Sequence, residues 1–288
     1  MVATFSDFAN VFKLRIGVAI MGCALAGFAV TQGETLAVWR VVVLGLSVLA
    51  SSAAAGAFNQ YAERALDARM PRTAGRPFAD GTFQADWRWL ALIAGILLAA
   101  VGAAGLALNS YVALHVFLGA FFYGVVYTLW LKQRTAWNIV VGGLAGSFAV
   151  LAGASAADPA IGSAGLLLAL VLFLWTPPHF WSLAMALRDQ YEAAGVPMLP
   201  VVIGDAATAK IILAHTVALV AASIAGIFHG MGFIYLGAAV LGGGFFIWRS
   251  IQLVMRPGPK RAMSNFFASL AQLGLLLLAA MVEGWLAG

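Results

Sequence analysis

Apolar runs of about twenty residues, each long enough to cross a bilayer as a helix, repeat from one end of the chain to the other with short polar breaks between them. Their hydropathy predicts nine spans, at about 13–31, 37–58, 88–108, 111–131, 137–156, 161–187, 209–228, 231–253 and 263–286. No stretch between spans is long enough for a separate soluble domain, so residues 1–288 are expected to form a single all-α membrane domain. The opening residues lack the pattern of a cleavable leader, and the first run is read as a membrane helix.

One polar block interrupts this pattern. Asn59, Glu63 and Asp67 recur every fourth residue just past the second span, with no Gly or Pro between them. On a continued helix they form one slowly drifting stripe of oxygen-bearing side chains. Oxygen donors on one wall suit a hard cation such as Mg²⁺, which completes its shell with water and substrate phosphate. Arg64, Arg69, Arg72 and Arg76 follow closely, before and between Pro71 and Pro77. Acids for a metal and arginines for an anion together point to a diphosphate. The same spacing also fits a solvated loop that merely sets topology.

The sixth span carries a second polar group. It contains Trp175-Thr176-Pro177-Pro178-His179-Phe180-Trp181 and then Arg188-Asp189-Gln190-Tyr191-Glu192. Two prolines inside a span free backbone carbonyls and are expected to kink it. His179 is an ionisable group at membrane depth, read either as a functional residue or as a hydrogen-bonded structural one. Even-numbered spans end on the same side, so Asp189 and Glu192 are expected to confront Glu63 and Asp67. The break Trp130-Leu131-Lys132-Gln133-Arg134 reads as an interfacial anchor or as a phosphate contact. His215, His229 and Glu283 are read as structural, and the Gly142-Gly143 pair with Gly146 as close helix packing.

Charge fixes an orientation. With the N-terminus cytoplasmic, fifteen of the sixteen Lys and Arg residues fall on that side and only Arg40 on the other. The C-terminus then lies outside. Only 9% of residues are charged against 63% hydrophobic, which excludes an ordinary soluble protein. The net charge of +5 sits in short inter-span breaks, so it speaks for membrane topology and against a nucleic-acid partner. The single cysteine, Cys23, lies inside the first span and is expected to be a packed thiol.

The stretches 59–77 and 175–202 resemble the UbiA-type intramembrane prenyltransferase superfamily, and within it the protoheme IX farnesyltransferase (haem O synthase) family. Tyr127-Thr128-Leu129-Trp130-Leu131-Lys132 and Asn138-Ile139-Val140-Val141-Gly142-Gly143 fit the same family. The resemblance implies nine transmembrane helices around a central cavity, with a Mg²⁺-diphosphate at its cytoplasmic mouth. It implies transfer of a farnesyl group from farnesyl diphosphate to a vinyl group of haem b, in a bacterial inner membrane. Carried over residue by residue, Asn59, Glu63, Asp67 and Asp189 are the catalytic and metal-holding set, with Glu192 as a further ligand. Arg72, Arg76, Lys132 and Arg188 become diphosphate contacts. His179, Trp181, Tyr127, Tyr191 and Lys13 become substrate contacts, Lys13 standing in Lys13-Leu14-Arg15 where the family has Lys-Pro-Arg. Glu63 and Gln190 occupy positions where the family usually has Asp. A haem A synthase or a terminal oxidase assembly is the implied partner. The residues themselves leave two other readings open: a prenyltransferase for an aromatic or quinone-precursor ring, and a transporter with an acidic cation site.

Overall fold

A computed structural model describes residues 4–287, and every regular element in that range is helical. The first span is a bent pair, α1 (Phe5–Val11) and α2 (Leu14–Val30), meeting at 50°. Then come α3 (Val38–Asp67), α4 (Trp87–Ala107), and α5 (Ser110–Phe121), which continues as π-helical turns over Phe122–Leu131. The next span breaks at Gly143 into α6 (Asn138–Gly142) and α7 (Leu144–Ala157), and α8 (Ser163–Ala186) follows. Two short helices, α9 (Arg188–Ala193) and α10 (Leu199–Ile203), precede α11 (Asp205–Ala225), α12 (Phe233–Met255) and α13 (Pro259–Ala287). Eight helices are long and apolar enough to cross a membrane, and nine spans result when the bent pair counts as one. The chain is an integral membrane protein with the span count that hydropathy predicts.

Neighbours in sequence are neighbours in space, and α13 packs back on α2 to close the ring. Lipid contact explains the many exposed large side chains on the outside, Leu98, Leu106 and Trp285 among them. Across the ring, α2 and α7 approach so closely that a Cβ at Gly27 would strike the Val150 backbone and one at Gly153 the Ala24 backbone. Small residues permit this contact, which supplies van der Waals packing where lipid leaves no hydrophobic drive. It seals the half of the bundle away from residues 59–77. At that far end Glu283 of α13 caps α12, accepting from the backbone N–H of Gly232 (2.8 Å), Ile234 (2.8 Å) and Tyr235 (3.3 Å). His215 bonds the Ile211 carbonyl one turn back and meets Trp181 edge-on, and Cys23 is a buried free thiol.

Two expectations about local shape need amending. The second span does not end near 58: α3 runs thirty residues, through the polar block to Asp67. The sixth passes Pro177 and Pro178 as one continuous helix and breaks only at Leu187 (φ −121°, ψ 26°). Side chains take up carbonyls along this helix, Thr176 donating to Leu172 and Ser182 to Pro178.

Candidate active site

Because α3 stays helical through its polar end, Asn59, Glu63 and Asp67 share one face, and that face is turned inward. They are 2%, 3% and 2% exposed, whereas Arg64 and Arg69 on the other side face out. Each of the three oxygens has a cation from a different part of the chain. Lys13 Nζ donates to Asn59 Oδ1 (2.5 Å), Lys132 Nζ to Glu63 Oε2 (2.5 Å), and Arg76 Nη1 to both oxygens of Asp67 (2.9 and 2.8 Å).

Local structure puts each cation there. Lys13 lies at the α1–α2 break with left-handed backbone (φ 48°), which a residue with a Cβ adopts only at a cost. Its stem lies against Gly56 of α3, and its ammonium also donates to Tyr123 Oη (2.7 Å). Lys132 follows the π-helical turns, a device found at functional sites, which aim Tyr123, Tyr127 and Thr128 inward. Thr128 Oγ1 accepts from Asn59 Nδ2 (3.0 Å), and the rings of Tyr123 and Tyr127 stack 5.8 Å apart. Gly142 makes room for Tyr127, since a Cβ there would come within 2.9 Å of its ring. Arg76 returns over a loop pinned by Thr73, whose hydroxyl donates to the Asp67 carbonyl (2.9 Å).

The α9 segment covers this mouth with different side chains from those expected. Tyr191 is buried and its Oη accepts from Arg72 Nη2 (3.2 Å), while Gln190 Oε1 accepts from the Arg72 backbone N–H (3.4 Å). Burial pushes the Tyr191 phenol above its ordinary pKa, with Arg72 opposing, so it stays protonated. Asp189 and Glu192 are exposed and do not join the Glu63–Asp67 face. Glu192 stands 4.0 Å from Arg188, and Asp189 lines a separate cleft of about 260 Å³ with Arg188, Gln190 and Asp205. The break at Leu187 rotates α9 away from the face that a straight α8 would project. Trp181 is fully buried in the packing beside Leu66 and Met70, and His179 is buried between α8 and α13. Tyr123 and Thr128 were not singled out from sequence, although Tyr123 stands four residues before Tyr127, the spacing that puts two helical residues on one face.

Glu63 Oε1 is the exception in this well-bonded group: it is buried and has no hydrogen-bond partner among the described residues. A buried unpaired carboxylate oxygen costs more than a paired one and marks a place for a ligand. Among the described residues no three His, Cys, Asp or Glu side chains gather as a complete metal shell. Two carboxylates and an amide oxygen are the donor set, and they fit Mg²⁺, which takes one or two carboxylates and leaves the rest of its shell to water and phosphate. Lys13, Arg72, Arg76 and Lys132 outnumber the two buried acids, so the mouth carries surplus positive charge for an anion.

Comparison with known proteins places this geometry. Residues 20–276 match the UbiA prenyltransferase family. The chain is 59% identical over the full length of both to protoheme IX farnesyltransferase 2 of Paramagnetospirillum magneticum. It is 42% identical to protoheme IX farnesyltransferase 1 of the same organism, covering 97% of this chain and 99% of that one. In fold it matches a solved digeranylgeranylglyceryl phosphate synthase at a TM-score of 0.79 and 16% identity, over 97% of this chain and 98% of the other. A UbiA homologue from Archaeoglobus fulgidus bound to DMAPP and Mg²⁺ matches at 0.71 and 14% identity, over 96% and 99%. The chain therefore belongs to the UbiA prenyltransferase family, and it is a polyprenyl transferase.

Proposed function

We propose that this enzyme transfers the farnesyl group of farnesyl diphosphate to a vinyl group of haem b, with water completing the hydroxyethylfarnesyl chain of haem O and diphosphate leaving. The reading rests on the full-length relatives and on one structural observation: a buried, unpaired Glu63 oxygen between Asn59 and Asp67, ringed by cations. Asn59, Glu63 and Asp67 hold Mg²⁺, and Asp189 and Glu192 at the rim are the candidates for a further contact. When bound, Mg²⁺ supplies a Lewis acid for charge on the diphosphate.

The chain's own groups do the rest. Lys13, Arg72, Arg76 and Lys132 bind diphosphate oxygens, and Arg188 stands at the rim. As the allylic C–O bond breaks, negative charge grows on the leaving oxygen, and fixed cations in a site shielded from water stabilise it strongly. The allylic carbon turns positive, and the stacked faces of Tyr123 and Tyr127 are suited to stabilise it. The vinyl π electrons then form the new C–C bond. Water adds to the carbon beside the macrocycle and gives up a proton. The orientation with this mouth cytoplasmic and the C-terminus outside, in a bacterial inner membrane, is supported by the charge bias. A haem A synthase or a terminal oxidase assembly is the fitting consumer of the product.

The test is direct. Membranes containing the chain are given farnesyl diphosphate, Mg²⁺ and either haem b or 4-hydroxybenzoate, and products are read by mass spectrometry. The expected result is a farnesylated, hydrated haem only in the first mixture. Prenylated 4-hydroxybenzoate without a haem product overturns the acceptor assignment, and ion flux without any product favours a transporter.

A further inference from the structure

We propose that His179 is the axial ligand by which the enzyme holds the iron of its acceptor, an inference that rests on the haem reading above. His179 lies in α8 and is 6% exposed. Its ring is clamped on both faces, by Trp175 at 4.1 Å (19°) and by Phe266 of α13 at 4.4 Å (26°). A clamped imidazole has one direction in which to act: along its edge.

The hydrogen bonds decide which nitrogen is free. His179 Nδ1 lies 2.7 Å from Ser269 Oγ, and Ser269 Oγ lies 2.6 Å from the Phe266 carbonyl. A carbonyl only accepts, so the single Ser269 hydroxyl proton is given to Phe266. Towards His179 the serine oxygen must then accept, which puts the imidazole proton on Nδ1 and a lone pair on Nε2. Among the described residues Nε2 makes no hydrogen bond. A neutral imidazole with Nδ1–H held by a second group and Nε2 open is the arrangement that metal-binding histidines use. Trp175 locks the same serine by donating from Nε1 to the Ser269 carbonyl (2.9 Å), so the clamp and the tautomer share one anchor. A histidine kept only for packing would gain by pairing both nitrogens, since an unpaired buried polar atom costs about 1–3 kcal/mol.

Depth agrees. His179 stands seven residues before Ala186 at the end of α8, and Asn59 eight before Asp67 at the end of α3. At 1.5 Å per residue both lie about 10–12 Å inside their helix ends. Those ends are tied together through Arg72, Gln190 and Tyr191. An iron held at His179 thus lies at the level where the allylic carbon of a diphosphate held by Asn59, Glu63 and Asp67 enters the bundle. Imidazole is a usual axial partner of haem iron.

The experiment titrates purified enzyme in detergent with ferric haem b, reading the Soret band and the low-temperature electron paramagnetic resonance spectrum, with farnesyl diphosphate binding measured in parallel. Wild type should show an imidazole-ligated spectrum. His179→Ala should lose it and bind haem at least about tenfold more weakly, with free imidazole restoring the spectrum and farnesyl diphosphate affinity unchanged. His179→Met, which keeps bulk and offers a thioether, should give a different ligated spectrum and covers the case in which alanine unfolds the helix pair. Ser269→Ala should weaken haem binding on the order of tenfold without removing the ligand. If wild type farnesylates haem b while the His179→Ala and His179→Met spectra equal its own, the ligand assignment falls and the haem reading stands. If wild type neither binds nor farnesylates haem b and prenylates another acceptor, both fall.

Discussion

The two ends of the bundle each place a glutamate against backbone or side-chain donors, and the two glutamates are treated differently. At the far end both oxygens of Glu283 are taken by backbone N–H groups of α12, and the group is finished as a helix cap. At the polar end Glu63 has one oxygen on Lys132 and one left over. The first arrangement holds two helices and asks for nothing more. The second is stable enough to persist but incomplete, and incompleteness in a buried carboxylate is a signature of a site awaiting a partner.

The contrast can be broken from either side. The largest effect belongs to the sealed half: Gly153→Val drives a branched side chain into the α2 backbone at Ala24 and should abolish recovery of folded, monodisperse protein. Next comes Lys132→Ala, which strands Glu63 in the interior. It should cost about 3–5 kcal/mol, read as a lower thermal midpoint in detergent, with Lys132→Arg recovering part of it. Asp67→Ala and Asp189→Ala should each reduce farnesyl transfer by at least about a hundredfold. They should differ in stability: Asp67 is buried on Arg76, so its loss lowers the thermal midpoint, whereas exposed Asp189 can be lost at no measurable cost. Full activity in both variants would remove the metal assignment. Tyr123→Phe deletes one hydrogen bond to Lys13 and should cost about 1 kcal/mol with a several-fold loss of turnover. The smallest effect is expected at the far end, where Glu283→Gln should lower stability by about 1 kcal/mol and leave product formation unchanged. A drop in activity there would erase the distinction between the two acids.

Hydropathy and charge made the spans, their number and the polar end readable, because lipid imposes the same demand on every crossing segment. The stripe at Asn59, Glu63 and Asp67 was also readable, since only helical continuation was needed to align it. Its pairing with Lys13 and Lys132 was not, because both depend on backbone that departs from the α-helical repeat: a left-handed residue at the first break and π-helical turns before the second. The placement of Asp189 failed for a related reason. Projection along α8 assumes an unbroken helix, and Leu187 ends it two residues too soon. Sequence did mark His179 as a choice between structure and function, and only the neighbouring serine and phenylalanine, far along the chain in α13, give its two nitrogens different fates.

The π-helical turns at Phe122–Leu131 bind one more residue per ring than an α-helix does. Deleting a single residue there would let the segment relax into the commoner coil, so the shortened helix could remain a sound membrane span. Everything after the cut would swing by about 100° around the helix axis. Lys132 would then point elsewhere and leave Glu63 alone, giving a protein that inserts and assembles yet has lost the alignment between its charges. An indel at this place would therefore separate architecture from chemistry more cleanly than any point change.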